Sequence, residues 1–337
     1  MRYSTYLLPI RRATFSPTEA RELAVYFGTL NDADCDVLVI DGSPSPVFQQ
    51  HDDAWHSVCR HEQVDRSFGY LNDKVNGIHT GVRLAAAEKI VLADDDIRYN
   101  AAEIERVCEL LDNFDVVRPQ NYLAPLPWWA WMEAARMLIN RATLRTGDYP
   151  GTCAFRRSAM LHVGPYDGDV LFDNEEIIRH FARAGATISY ATNLFVRKRP
   201  PSFRKWIEQR PRQAYEDFGL RAKTALFLSL PMLAIWIAAF GWKSFVTSFL
   251  CLAIAAVLLA AAGRFRGAAS AYFPIFVCFF APLWILERSA STYWALYWHF
   301  ARGGYPFGDK ILSKGIGRDW ISGGRIAARA AARQPNE

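Results

Sequence analysis

Cysteine is sparse in this 337-residue chain. The six residues Cys35, Cys59, Cys108, Cys153, Cys251 and Cys278 form no CxxC pair and show no zinc-ligand spacing. That excludes a structural zinc module, and the thiols are expected to be reduced. Cys251 and Cys278 lie in apolar runs, where a thiol behaves as a small hydrophobe. The opening stretch, Met1 to Arg12, lacks the long apolar core of a signal peptide, so the domain that follows is expected to stay in the cytoplasm. Basic residues outnumber acidic ones only slightly, 39 to 34. No stripe of Lys and Arg interleaved with aromatics accompanies that excess, so nucleic acid is not expected as a partner.

Charge is also missing from one region. Residues 1–221 hold nearly all the acids, whereas residues 222–300 are long apolar runs with few charges. The pattern divides the chain into a soluble domain over 1–215, a membrane region over 216–302 and a basic tail over 303–337.

Within the first part, strand-like and helix-like segments alternate. Ser16-Pro17-Thr18-Glu19 supplies an N-cap, a proline at the first helical position and an acid three residues on, predicting a helix to about Gly28. Asp36 to Ile40 and Lys89 to Ala93 are continuous apolar runs of the kind buried on both faces of a sheet. Helices are expected over Asn76–Ala87, Asn100–Leu111, Trp128–Ala142, 151–163 and 173–184, with further strands at Val116–Arg118 and Thr187–Tyr190. This alternation implies an α/β fold with a mostly parallel sheet flanked by helices. Ligands of such sheets bind beyond the C-terminal strand ends, where Asp41 and Asp94 fall.

Ala222–Phe240 and Ser244–Ala262 are each about the ~20 residues that cross a bilayer, and the short link Gly241-Trp242-Lys243 makes them a hairpin. Arg221, Lys223, Arg264 and Arg266 flank it on one side, and the tail carries Arg302, Lys310, Lys314, Arg318, Arg325, Arg329 and Arg333. The positive-inside rule places all of these in the cytoplasm. The third run, Ala269–Leu286, is broken by Pro274 and Pro282. It is expected to be interfacial or re-entrant, or to pair with 289–302 as a return. Trp128, Trp129 and Trp131 suit an interfacial anchor, an acceptor-stacking platform or ordinary core.

Three adjacent carboxylates, Asp94-Asp95-Asp96, end the 89–93 strand. They repel one another unless a cation or hydrogen-bond donors compensate. A divalent ion shared with substrate phosphates would do so; a solvated turn capping a helix is the alternative.

The neighbouring motifs carry a resemblance. The run Asp73 to Arg83, followed by Lys89 through Asp96, is similar to the core of family 2 glycosyltransferases, in which a Lys-containing helix start precedes a strand and a D-x-D motif. Val39-Ile40-Asp41-Gly42-Ser43 matches that family's upstream aspartate, Gly151 to Ala159 its acceptor-side segment, and Gln209-Arg210-Pro211-Arg212-Gln213 its Q-x-x-R-W motif. The resemblance covers residues 3–215 in the family's order. It implies a GT-A fold, a nucleoside-diphosphate-sugar donor and a divalent metal, Mg²⁺ or Mn²⁺.

It also assigns residues. Asp96 and Asp94 would ligate the metal, and Asp41, Lys74, Asp94, Asp95, Arg197, Gln209 and Arg212 would meet the donor. The family's Glu-Asp catalytic pair falls on Asp173-Asn174. Asn174 cannot act as a base, so the role passes to Asp173, with Glu176 second and Glu175 third. Gln213 stands in the Trp slot, which weakens the likeness to processive polysaccharide synthases. Arg197 stands where the family often has His. His79, where the family has Asn, reads as a helix residue packing locally.

The implied activity is inverting transfer of a sugar to a hydroxyl of a membrane-associated acceptor, a lipid or lipid-linked glycan, at the cytoplasmic face of the inner membrane. A polysaccharide-synthase-type transferase, or an inactive scaffold that binds nucleotide sugars, are the alternatives.

Overall fold

The computed structural model describes residues 3–308 and 310–317. Arg318, Arg325, Arg329 and Arg333 of the basic tail lie outside the described residues.

Eight strands form the central sheet: β1 (Ser4–Ile10), β2 (Cys35–Asp41), β3 (Arg60–Gln63), β4 (Lys89–Ala93), β5 (Ile97–Arg98), β6 (Val116–Leu123), β7 (Thr152–Arg156) and β8 (Ile188–Lys198). Their spatial order is β3-β2-β1-β4-β7-β6-β8-β5. The first four in that order are parallel, as are β6 and β8, while β7 runs antiparallel to both neighbours and β5 antiparallel to β8. The helices that accompany the sheet are α1 (Pro17–Asp32), α2 (Ser45–Trp55), α3 (Asp73–Leu84), α4 (Ala101–Leu110), α5 (Trp131–Thr143), α6 (Arg157–Val163), α7 (Asp173–Arg183) and α8 (Phe203–Glu216).

Alternation along the strands builds a core on each face. Tyr6 and Leu8 of β1 pack with Phe27, Trp55 and Val107 on one side. Leu7 packs with Ile78, Met160 and Phe181 on the other. Ser16 caps α1 by accepting from the Glu19 amide, and Asn100 and Glu103 form a reciprocal capping box at α4.

Several boundaries differ from the sequence reading, and β6 and β8 run on to Leu123 and Lys198, past the expected Arg118 and Tyr190. α1 continues past Gly28 to Asp32, and α3 begins at Asp73 because Asn72 caps it. The larger correction concerns 151–163, read as one helix. Residues Thr152–Arg156 are instead strand β7, paired residue for residue with β4, and only Arg157–Val163 is helical. Partners distant in sequence decided that segment, which no local propensity records.

Three further helices follow: α9 (Arg221–Ala238), α10 (Trp242–Phe265) and α11 (Ala281–Arg302). The chain is long and apolar enough to cross a membrane at α9, at α10 and over Ile275–Arg302. Gly241, with φ of 107°, turns the α9–α10 hairpin, and its outer faces leave Met232, Ile235, Trp236, Ile254 and Leu258 exposed. Near its base, Ala256, Ala260 and Gly263 of α10 pack on α5. A Cβ at Gly263 would lie 1.9 Å from the Leu138 carbonyl oxygen, so the two backbones touch there.

α11 behaves differently from the hairpin. Trp131 of α5 packs on Phe276 and Phe280 just before its start, Arg288 at its middle bonds to Asp217 and Gln213, and His299 near its end meets Tyr215. It therefore lies along α5 and α8. Beyond it, β9 (Tyr305–Phe307) and β10 (Lys310–Leu312) form a hairpin. The Leu171 and Phe172 amides then donate to the Lys314 and Gly315 carbonyls, at 3.0 Å each.

Candidate functional site

A cleft of about 710 Å³ opens at the C-terminal ends of β1 and β4. Lys74, Asp94, Asp95, Asp96, Asp173, Gln209 and Arg212, all singled out from the sequence, line it together. Elements far apart in the chain deliver them: the start of α3, the turn after β4, the start of α7, and α8.

Lys74 is the hub. Its ammonium lies 2.5 Å from Asp94 and 2.8 Å from Asp173, and it donates to Asn174 Oδ1 at 2.9 Å. Burial alone would lower its pKa, but the carboxylates of Asp173 and Asp94 outweigh burial and raise it, so it stays protonated. Asn174 also donates to Asp94, at 3.3 Å. Gly151 permits this crowding, since a Cβ there would lie 2.5 Å from Asp94 Oδ2.

The three aspartates are not equivalent. Burial would raise the Asp94 pKa, yet Lys74 and Lys198 lower it. Asp95 pairs with Arg12. Among the described residues, Asp96 is paired with Lys198 alone, at 3.4 Å. Burial, with help from Asp94 and Asp95 and against Lys198, pushes its pKa up to about 6. Its Oδ1 is buried and bonded to no group among the described residues. A buried carboxylate oxygen without a donor, beside a second carboxylate, suits a divalent cation, so Asp96 and Asp94 fit one.

Asp41 stands apart from the cleft. It lines an adjoining recess of about 510 Å³ with Gly42, Ser43, Gln63 and Tyr70, and the two cavities share Arg11 and Asp73. His51 and His61 donate to its Oδ2 at 2.7 and 3.2 Å, and the Ser43 amide to its Oδ1 at 2.8 Å. Burial opposes charge there, but these bonds hold the carboxyl well below the usual range. The three side chains are close enough to hold a metal; direct bonds between carboxylate and rings already occupy those atoms.

Besides Asp41, three sequence candidates are not brought into the cleft. Glu175 is buried against Arg118 and Arg179, at 3.2 and 3.3 Å. Glu176 is fully buried, paired with Arg183 and accepting from the Gly317 amide at 3.0 Å. Arg197 donates to the Ala124 carbonyl at 3.0 Å, and its neighbour Lys198 faces the aspartates instead. Successive strand residues point to opposite faces, so a one-residue offset decides the matter. The irregular stretch where β8 passes Arg118 and Gln120 of β6 hides that parity from the sequence. Arg12, Glu133, Arg136, Lys205, Lys223 and Arg288 also line the cleft; no motif marked them. His79 packs among Phe68, Tyr70 and Tyr166, and burial lowers its pKa to about 4.

No family model matches the chain, and no curated protein sequence does. Solved structures do. The chain is similar to a mannosyltransferase from Pyrobaculum calidifontis in complex with GDP-Man and Mn²⁺, with a TM-score of 0.50 and 15% identity, over 86% of this chain and 87% of that one. It also matches a glucosyl-3-phosphoglycerate synthase from Mycobacterium tuberculosis, in complex with Mn²⁺ and UDP-glucose, with a TM-score of 0.41 and 17% identity over 60% and 73% of the two chains. The fold is the GT-A type: a mostly parallel sheet flanked by helices, here with three apolar C-terminal helices.

Proposed function

We propose that this protein is a divalent-metal-dependent glycosyltransferase that moves a sugar from a nucleoside diphosphate to a hydroxyl of a membrane-associated acceptor, with inversion. The observation that carries the reading is the unpartnered, buried Asp96 Oδ1 in the same cleft as Asp94 and Asp173. The GT-A neighbours hold Mn²⁺ with GDP-Man or UDP-glucose, which agrees with that donor set.

In this reading Asp96 and Asp94 hold Mg²⁺ or Mn²⁺, which when bound neutralises charge on the donor diphosphate. Asp41 sits in the recess that would receive the nucleoside. Lys74 and Lys198 add positive charge where the departing diphosphate gathers negative charge. Asp173, held in place by Lys74, accepts the proton of the acceptor hydroxyl as that oxygen attacks the anomeric carbon. Gln209 and Arg212 of α8 line the same cleft and suit contacts with the diphosphate or the acceptor. Glu175 and Glu176, engaged elsewhere, have no part in the step.

The lipid or lipid-linked nature of the acceptor rests on position, since α8, α9 and α11 all contribute to the cleft wall. The same helices support residence in the inner membrane with the catalytic domain in the cytoplasm. A second reading, a scaffold that binds nucleotide sugar without turnover, is favoured by one observation: Asn174 occupies the base position and is tied to Lys74 and Asp94.

Screening UDP-, GDP- and dTDP-sugars for Mn²⁺-dependent binding and slow hydrolysis by the full-length protein tests the proposal. Asp96→Ala should abolish the metal dependence. Asp173→Asn should retain donor binding and lose roughly 10²–10⁴ in transfer rate. Unchanged turnover in Asp173→Asn would overturn its role, and no turnover in the wild type with binding intact would favour the scaffold.

A further inference from the structure

Resting on that reading, we propose that the membrane end of the cleft is a phosphate site, so that the acceptor, or the lipid carrying it, presents a phosphate group beside the apolar helices. Five cations line that end of the cleft from four helices: Arg136 of α5, Lys205 and Arg212 of α8, Lys223 of α9 and Arg288 of α11. Facing them, apart from the aspartates of the donor end and Asp173, are three acids, Glu133, Glu216 and Asp217.

Every one of those acids is already engaged. Asp217 takes Lys223 at 2.9 Å and Arg288 at 3.1 Å. Glu216 takes Arg212 at 3.1 Å. Glu133 takes Arg136 at 2.9 Å and also Arg210, from behind the wall, at 3.1 Å. Arg136 has one further partner behind the wall, Asp148, at 2.8 Å. With Arg210 and Asp148 included, six cations face four acids, which leaves a surplus of two positive charges.

Two of the cations are placed where charge is costly. Lys223 stands in the first turn of α9, and Arg288 sits at the middle of α11, held against Gln213 of α8. Arg288 is 1% exposed, and its Nε has no partner among the described residues. A network serving only to fasten α11 to α8 would need neither a surplus nor a free donor. Sugar hydroxyls are neutral and leave the surplus uncompensated. A phosphate matches both the charge and the arginine fork.

The test is calorimetric titration of the full-length protein, in uncharged detergent, with decyl phosphate, dihexanoyl phosphatidylglycerol, decanol and inorganic phosphate. Decyl phosphate or the phosphatidylglycerol should bind at least tenfold more tightly than decanol and than inorganic phosphate. Whichever binds better distinguishes a phosphomonoester acceptor from a phospholipid, and either supports the proposal. Arg288→Gln should weaken that binding at least tenfold while Mn²⁺-dependent nucleotide binding persists. Lys223→Gln should do the same if the first variant does not fold. Decanol binding as tightly as decyl phosphate, inorganic phosphate matching the lipids, or variants with undiminished affinity would each overturn the inference. Phosphate-lipid binding without any nucleotide-sugar binding would instead remove the glycosyltransferase reading and leave this site standing.

Discussion

Asp96 shows how much one carboxylate can report. Its folded pKa of about 6 lies above the ordinary carboxylate value of 3.8, so between those values the folded state holds a proton that the unfolded state has lost. Stability tied to Asp96 therefore falls as pH rises from about 4 to about 6, and the whole penalty persists at neutral pH. The full shift corresponds to about 3 kcal/mol. The side chain is still 32% exposed, however, and solvent screening reduces the figure to about 1 kcal/mol. Asp96→Asn should thus stabilise the metal-free protein by about 1 kcal/mol in urea unfolding at about pH 7.5, with no gain at about pH 4. The same group makes cation affinity pH-dependent: Mn²⁺ binding to the wild type should weaken as pH falls through about 6, because the proton competes for the ligand oxygen. Lys198, which no motif marked, should matter alongside it. Lys198→Met is expected to weaken nucleotide-sugar binding about tenfold, or ~1.4 kcal/mol, measured by calorimetry with Mn²⁺ present. Arg197→Met, one residue away and facing the Ala124 carbonyl, should leave that binding within about twofold.

Elements held together by their own sequence were the legible ones. β2 and β4 are continuous apolar runs, and α1 and α4 carry caps that fix their starts, so all four stand close to where the residues alone put them. The meeting of Lys74 with the aspartates in one cleft was legible for the same reason, since they sit at ends of such elements. Segment 151–163 was not, because β7 exists only by pairing antiparallel with β4 and β6. The cationic end of the cleft was hidden similarly: Arg136, Lys223 and Arg288 come from three helices whose convergence is tertiary. That convergence depends on close packing of α5 against α10 at Gly263, where any Cβ meets the Leu138 carbonyl. Gly263→Val should push the two helices apart and cost about 1–3 kcal/mol, read as a lowered melting temperature of the detergent-solubilised protein. The control comes from the same helix: Leu259→Val, at a side chain 37% exposed, should leave the melting temperature nearly unchanged.

For the whole molecule, the contacts of α11 decide how the chain meets a bilayer in the proposed setting. Its surroundings join the soluble domain at both ends, through Phe276 and Phe280 on Trp131 and through His299 on Tyr215. A helix tied to the same domain at its start, middle and end lies along that domain at the membrane surface, which leaves the α9–α10 hairpin as the part that crosses. Trp128, Phe203 and Ile207, exposed on the same domain by 59%, 41% and 50%, suit the headgroup region beside it. A hairpin returns the chain to its starting side, so Arg221 and Arg266 share the side of the catalytic domain, and Lys243 at the turn lies opposite. In that setting, Arg221, Lys223, Arg264 and Arg266 against Lys243 alone would, by the positive-inside rule, put the domain's side in the cytoplasm. A cysteine introduced as Lys243→Cys should accordingly react with a membrane-impermeant maleimide applied to intact cells. One introduced as Arg302→Cys, at the far end of α11, should react only after the cells are opened. Labelling of both from outside would mean that α11 spans the membrane, and would separate Arg302 from the domain against which the rest of its helix packs.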